Sequence, residues 1–126
     1  MRENLKADLL FEAQASLGEG CVWDADHRVL WWIDINNGEL HRFDPLAHQD
    51  DVYAIGQPIG CAVLRENGGM LLGLRDGIAE LDLHTQKVNM LINPEPDKPN
   101  NRFNDGKCDP RGRFIAGTMQ SDAQGK

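Results

Sequence analysis

Apolar residues in this chain come in short runs cut off by clusters of Asp, Asn, Gly and Pro, and no stretch of useful length repeats at the helical period. Short β-rich runs bounded by turn residues predict strands. From Gly18 onward the reading is a strand at Gly20–Trp23, a turn at Asp24-Ala25-Asp26-His27, a strand at Val29–Asp34 and a turn at Asn36-Asn37-Gly38. A strand at Glu39–Phe43, the Asp44-Pro45 turn and a strand at Asp51–Ile55 close the set. The set then recurs: Ile59–Leu64, Met70–Leu74, Ile78–Leu83 and Val88–Ile92 are four more strands, with turns at Asn67-Gly68-Gly69 and Arg75-Asp76-Gly77. A proline-rich loop over 93–101 follows, and a third round opens with Gly106–Cys108 and Phe114–Thr118. Ahead of all these, Leu9–Ala13 is a candidate strand with no evident partner.

Four antiparallel strands in each repeat of roughly 40 to 50 residues predict β-propeller blades. The fold class is therefore all-β, with blade 1 at about 18–55, blade 2 at about 59–92 and the start of blade 3 at about 101–126. The rival, an all-β sandwich of short strands, would not require so regular a recurrence. One cysteine falls in each round, Cys21, Cys61 and Cys108, which predicts matching places on neighbouring inner strands and burial as small hydrophobes. Propellers close with about four to eight blades, and this chain supplies about two and a half. It is expected to be part of a longer protein, with assembly of several short chains into one ring as the alternative.

A length of 126 residues and a hydrophobic content of 40% suit one globular domain with a core. The net charge of -7 and the absence of a basic run argue against a nucleic-acid partner, which would need clustered Lys and Arg against the phosphates. Charges in Met-Arg-Glu-Asn-Leu-Lys-Ala-Asp interrupt any apolar run at the N-terminus, so neither a signal peptide nor a membrane span is read there and a cytoplasmic location is expected. Three cysteines with no CxxC pair make a poor disulfide framework and a poor zinc site. Nothing in the pattern bears on oligomeric state.

The chemistry concentrates in Asn101 to Met119. Asp109-Pro110-Arg111-Gly112 carries type I turn preferences, and Arg102, Asn104 and Asp105 precede the short strand through Cys108, which predicts a loop at one end of the sheet. There is no G-x-G-x-x-G, P-loop, H-E-x-x-H or G-x-S-x-G. What remains is a set of hard oxygen ligands at the starts of inner strands: Glu19 ahead of Cys21, and Asn104 and Asp105 ahead of Cys108. In a propeller such positions gather at one mouth of the central channel, where a divalent cation could be held. From spacing alone Glu19 also reads as a solvated turn carboxylate.

Three pieces, Leu17-Gly18-Glu19-Gly20-Cys21-Val22-Trp23, Leu30-Trp31-Trp32-Ile33-Asp34-Ile35 and Asn101-Arg102-Phe103-Asn104-Asp105-Gly106-Lys107, are followed by Asp109-Pro110, Gly112-Arg113 and Ala116-Gly117-Thr118-Met119. Together they closely resemble the senescence marker protein, gluconolactonase and regucalcin-like family, over the chain from about Leu10. The resemblance implies a six-bladed propeller with a divalent metal at the channel mouth, calcium first, with zinc, manganese or magnesium as alternatives. It implies a hydrolase that opens sugar lactones, with the lactone as a small-molecule partner and neither nucleic acid nor membrane. By the same resemblance Glu19 is a metal ligand, and Arg102, Asn104 and Asp122 contact the substrate. The family's other two ligands, an Asn and an Asp, belong to later blades, and that Asp also looks like the general base. No catalytic residue is therefore expected before Lys126, and the chain alone is not expected to be a competent enzyme. A non-enzymatic calcium-binding propeller is the alternative. A YWTD-like extracellular binding propeller, suggested by Leu30 to Asp34, is a third reading, disfavoured by the unpaired cysteines and the Asn101 to Lys107 stretch.

Overall fold

The computed structural model of the chain describes residues 4–121, and all of its regular elements are strands. β1 (Gly18–Asp24), β2 (Val29–Asp34), β3 (Glu39–Asp44) and β4 (Gln49–Ala54) form one antiparallel meander, with neighbours in sequence pairing in space. β5 (Ile59–Leu64), β6 (Met70–Leu74), β7 (Ile78–Leu81) and β8 (Val88–Ile92) form a second in the same order, and β9 (Asn101–Cys108) pairs with β10 (Phe114–Gln120). No helix of the described residues is long and apolar enough to cross a membrane.

The alternation in β2 explains how the first two sheets meet. Val29, Trp31 and Ile33 share one face, and they pack with Ile35 and Leu40 against Ile59, Ala62, Met70, Leu72, Leu74, Ala79 and Leu81 of the second sheet. All of these but Trp31 and Ala62 are at most 1% exposed, so truncating one would cost both transfer energy and a cavity. The opposite face of the first sheet is more polar. There Trp32 stacks on His41 with ring centroids 3.7 Å apart, His41 Nδ1 lies 2.6 Å from Asp50 Oδ2, and Trp32 Nε1 donates to Asp50 Oδ1 at 3.1 Å. Nε2 of His41 faces Glu39 Oε2 at 3.4 Å without hydrogen-bond alignment.

Every inner strand carries an irregularity at the same place. β1 pairs Glu19 with Ile33 and then Val22 with Trp31, so Gly20 and Cys21 together oppose Trp32. β5 pairs Ile59 with Leu74 and then Cys61 with Gly73, leaving Gly60 as the extra residue. β9 pairs Phe103 with Thr118 and Gly106 with Ala116, so Asn104 and Asp105 oppose Gly117. These are β-bulges, which bend a strand and re-aim its side chains. Gly20 meets the need with φ +67°, a conformation costly for residues with a Cβ.

Several expectations are corrected by this register. Leu9–Ala13 forms no strand; the segment crosses the first sheet as irregular chain, with Phe11 against Phe43 at 5.1 Å between ring centroids. Arg102, Asn104 and Asp105 lie within β9 rather than on a loop, because β10 runs long enough to pair back to Asn101. The cysteines do not all match. Counting from the paired positions Val22, Ala62 and Gly106, Cys21 and Cys61 are equivalent to Asp105, whereas Cys108 pairs with Phe114 at the far end of its strand. Only Cys61 is buried, since β5 alone has an inner strand packed on each side of it among the described residues; Cys21 and Cys108 are exposed.

Candidate functional site

The starts of β1, β5 and β9 lie at one end of the three sheets, together with the β2–β3 and β6–β7 turns. Gln57, just ahead of β5, ties these turns together. Its backbone underlies Gly38 of the first turn, and its side-chain oxygen accepts a hydrogen bond from Asp76 N of the second at 3.0 Å.

Glu19 is held at this end by an anchor that the sequence did not advertise. The buried carboxylate of Asp34 accepts hydrogen bonds from Ser16 N at 2.8 Å, Leu17 N at 3.0 Å and Asn37 Nδ2 at 2.9 Å. Ile35 N closes the same corner on Leu17 O at 3.0 Å. Burial by itself would raise the Asp34 pKa, but the N–H groups of Ser16, Leu17 and Asn37 outweigh it and hold the carboxyl below its ordinary value. Asp34 thus stays ionised and fixes the two residues that lead into β1, and Glu19 emerges two positions later with an exposed side chain.

Arg102 and Asn104 are positioned by a backbone contact between sheets. A Cβ at Gly60 would overlap the carbonyl oxygens of Phe103 and Asn104, so β9 lies directly against β5 where no other residue type leaves room. Phe103 is buried between the two sheets, against Gly73 and on the Cys61 side. Its neighbours in the strand therefore turn outward, and the bulge sets Asn104 and Asp105 side by side and exposed. Arg102 Nη1 donates to the Phe103 carbonyl at 2.8 Å. Asp105 Oδ1 accepts from Gly106 N at 2.7 Å. Burial, with the Asp105 charge as a lesser contributor, pushes the Cys61 thiol up to about 11, which makes it an inert packing group.

The sequence-predicted residues are therefore brought to one end but not into one pocket. Arg102 lines a cleft of about 250 Å³ bounded by the β6–β7 turn and the loop 93–100, whereas Glu19 lines a shallow apolar recess with Phe11 and Trp32. Asp122 lies outside the described residues. Among the described residues no group of three or more His, Cys, Asp and Glu side chains could hold a metal ion. Glu19 offers a hard carboxylate suited to one position on a divalent cation, short of the six to eight oxygens, roughly, that calcium takes.

Residues 17–126 match the family model described as the SMP-30/Gluconolactonase/LRE-like region. A 6-deoxy-6-sulfogluconolactonase of Pseudomonas putida is 41% identical over 119 residues, and regucalcin of Xenopus laevis is 36% identical over 119 residues. Each of these alignments takes in 94% of this chain and 40% of the relative, so the chain spans 40% of the length of the curated relatives it matches. Among solved structures, a luciferin-regenerating enzyme superposes with a TM-score of 0.80 at 28% identity, over 86% of this chain and 38% of that one. A calcium-binding protein, regucalcin, from Agrobacterium tumefaciens superposes with a TM-score of 0.78 at 29% identity, over 84% and 36%. With a family match across all ten described strands and the blade topology described above, the chain belongs to the SMP-30/gluconolactonase/LRE-like family of β-propellers.

Proposed function

We propose that the complete protein containing this chain is a metal-dependent hydrolase that opens sugar lactones of the aldonolactone type, with Glu19 as a metal ligand and Arg102, Asn104 and Asp122 as substrate contacts. The observation that carries this reading is the β9 bulge. It turns Asn104 outward beside a half-buried Arg102, at the end of the sheets where Glu19 begins. The 41% identity to a sulfogluconolactonase supports the lactone class.

In this reading water adds to the lactone carbonyl, the ring C–O bond breaks, and the ring oxygen leaves as the hydroxyl of an aldonic acid. A bound divalent cation, calcium in the first place, supplies polarisation of the carbonyl and a lowered pKa for water. The remaining ligands and the general base are contributed from beyond Lys126. Arg102 and Asn104 orient the sugar, whose hydroxyls need polar partners once they leave water. Their bulge-fixed backbone keeps that orientation from being lost to side-chain and loop entropy.

The test is acid release from gluconolactone by the complete protein, followed at constant pH with and without a chelator. Turnover that disappears with the chelator supports the reading, and absence of turnover with every divalent cation overturns it. A second reading, a calcium-binding propeller without turnover, is favoured by the likeness to the regucalcin described as a calcium-binding protein. It predicts calcium uptake with no acid release.

A further inference from the structure

The cleft beside Arg102 carries charges that run against those of the chain. Arg75, Lys98 and Arg102 line it with Asp76 and Glu95, so cations outnumber carboxylates locally while the chain as a whole carries -7. The two outer cations are already tied down. Arg75 Nε donates to Asp76 Oδ1 at 2.9 Å, and Lys98 Nζ to Glu95 Oε1 at 3.2 Å, with Asn101 Nδ2 on the other Glu95 oxygen at 3.0 Å.

Arg102 differs from both. Its hydrogen bond among the described residues goes to a backbone carbonyl rather than to a carboxylate, so most of its five donors have no protein partner among those residues, and the side chain lines the cleft. A half-buried guanidinium is costly without an anionic partner, and its planar fork matches a carboxylate or sulfonate in two parallel hydrogen bonds. A volume of about 250 Å³ falls just below that of pockets that enclose a whole small molecule, about 300 to 1,000 Å³. It suits a substituent instead.

We propose that this cleft is a subsite for an anionic group, a carboxylate or a sulfonate, at the far end of the sugar lactone, bound by Arg102 with Arg75 and Lys98 at the rim. The inference rests on the lactonase reading and deepens it. Arg102 then acts as a specificity determinant that favours charged lactones over neutral ones, and the rim cations draw such substrates in.

The test compares kcat/KM of the complete protein for gluconolactone, for its analogue with a terminal carboxylate and for its analogue with a terminal sulfonate. At least one anionic lactone is expected to be favoured by about tenfold or more, the size of a charge-assisted hydrogen bond. The anionic-to-neutral ratio should fall towards one in Arg102→Gln. It should fall partway in the exposed rim variant Arg75→Gln/Lys98→Gln, which keeps the test open if Arg102→Gln fails to fold. Which anion is preferred tells carboxylate from sulfonate. Equal or better use of the neutral lactone, or a ratio unchanged in a folded variant, overturns the subsite and leaves the lactonase reading standing. No turnover of any of the three overturns both.

Discussion

Gly60 and Phe103 touch through backbone: a side chain on Gly60 would occupy the place of the Phe103 carbonyl oxygen. That contact joins the second sheet to β9 and sets where Arg102 and Asn104 stand. Gly60→Ala should therefore push β9 away and cost about 1 to 3 kcal/mol, the range for overpacking a tight interior. Denaturant unfolding of the chain measures it, and a midpoint equal to that of the parent would mean that β9 does not lie where described.

Asp34 gives a prediction in pH. Its carboxyl is held below the ordinary value of 3.8 by the N–H groups that outweigh its burial. A lowered folded-state pKa means that the unfolded chain binds the proton more readily, so the stabilisation is fully present above 3.8 and fades as pH falls below it, through the lowered value. Asp34→Asn should lose about 1 to 3 kcal/mol at neutral pH, because backbone donors at Ser16 and Leu17 lose a charged acceptor. The difference between the two proteins should shrink in acid. Unfolding curves at pH 7 and pH 3 test both halves, and a gap that widens in acid would contradict the assignment.

The cysteines separate by chemistry. In the 126-residue chain a thiol reagent at pH 8 should label Cys21 and Cys108 rapidly, and Cys61 only after unfolding, since burial both shields it and raises its pKa to about 11. Mass spectrometry of the labelled peptides reads this directly. Rapid native labelling of Cys61 would show that β5 and β9 are not packed.

The kinetic roles proposed for the site divide in a measurable way. Arg102→Ala in the complete protein should raise KM more than it lowers kcat, as expected for a group that holds the ground state and transition state alike. A fall in kcat at constant KM would place Arg102 in the chemistry instead.

Much of the fold was legible in the sequence because a propeller writes itself as period-2 strands punctuated by turns: Val29–Asp34, Met70–Leu74 and Val88–Ile92 are strands in the structure with the bounds read from the pattern. Bulges were not legible, because one extra residue in a strand leaves composition and turn spacing untouched. That is why Arg102, Asn104 and Asp105 read as a loop, and why Cys108 was aligned with Cys21 and Cys61 when Asp105 is their counterpart in register. Asp34 read as the end of a strand, because its task is to accept hydrogen bonds from residues 17 and 18 positions away in sequence. The cleft was hidden for a like reason: its walls, Arg75 and Arg102, come from different sheets. Cys21 was expected inside as a small hydrophobe, but its burial depends on what packs beside β1 and not on residue type.

The central claim is that Glu19 holds the metal on which lactone hydrolysis depends. It is tested most directly by stripping the complete protein with a chelator and measuring gluconolactone hydrolysis as a divalent cation is added back, for the parent and for Glu19→Gln. The account predicts recovery in the parent and little or none in Glu19→Gln across the same cation range. Equal recovery in the two proteins would contradict it.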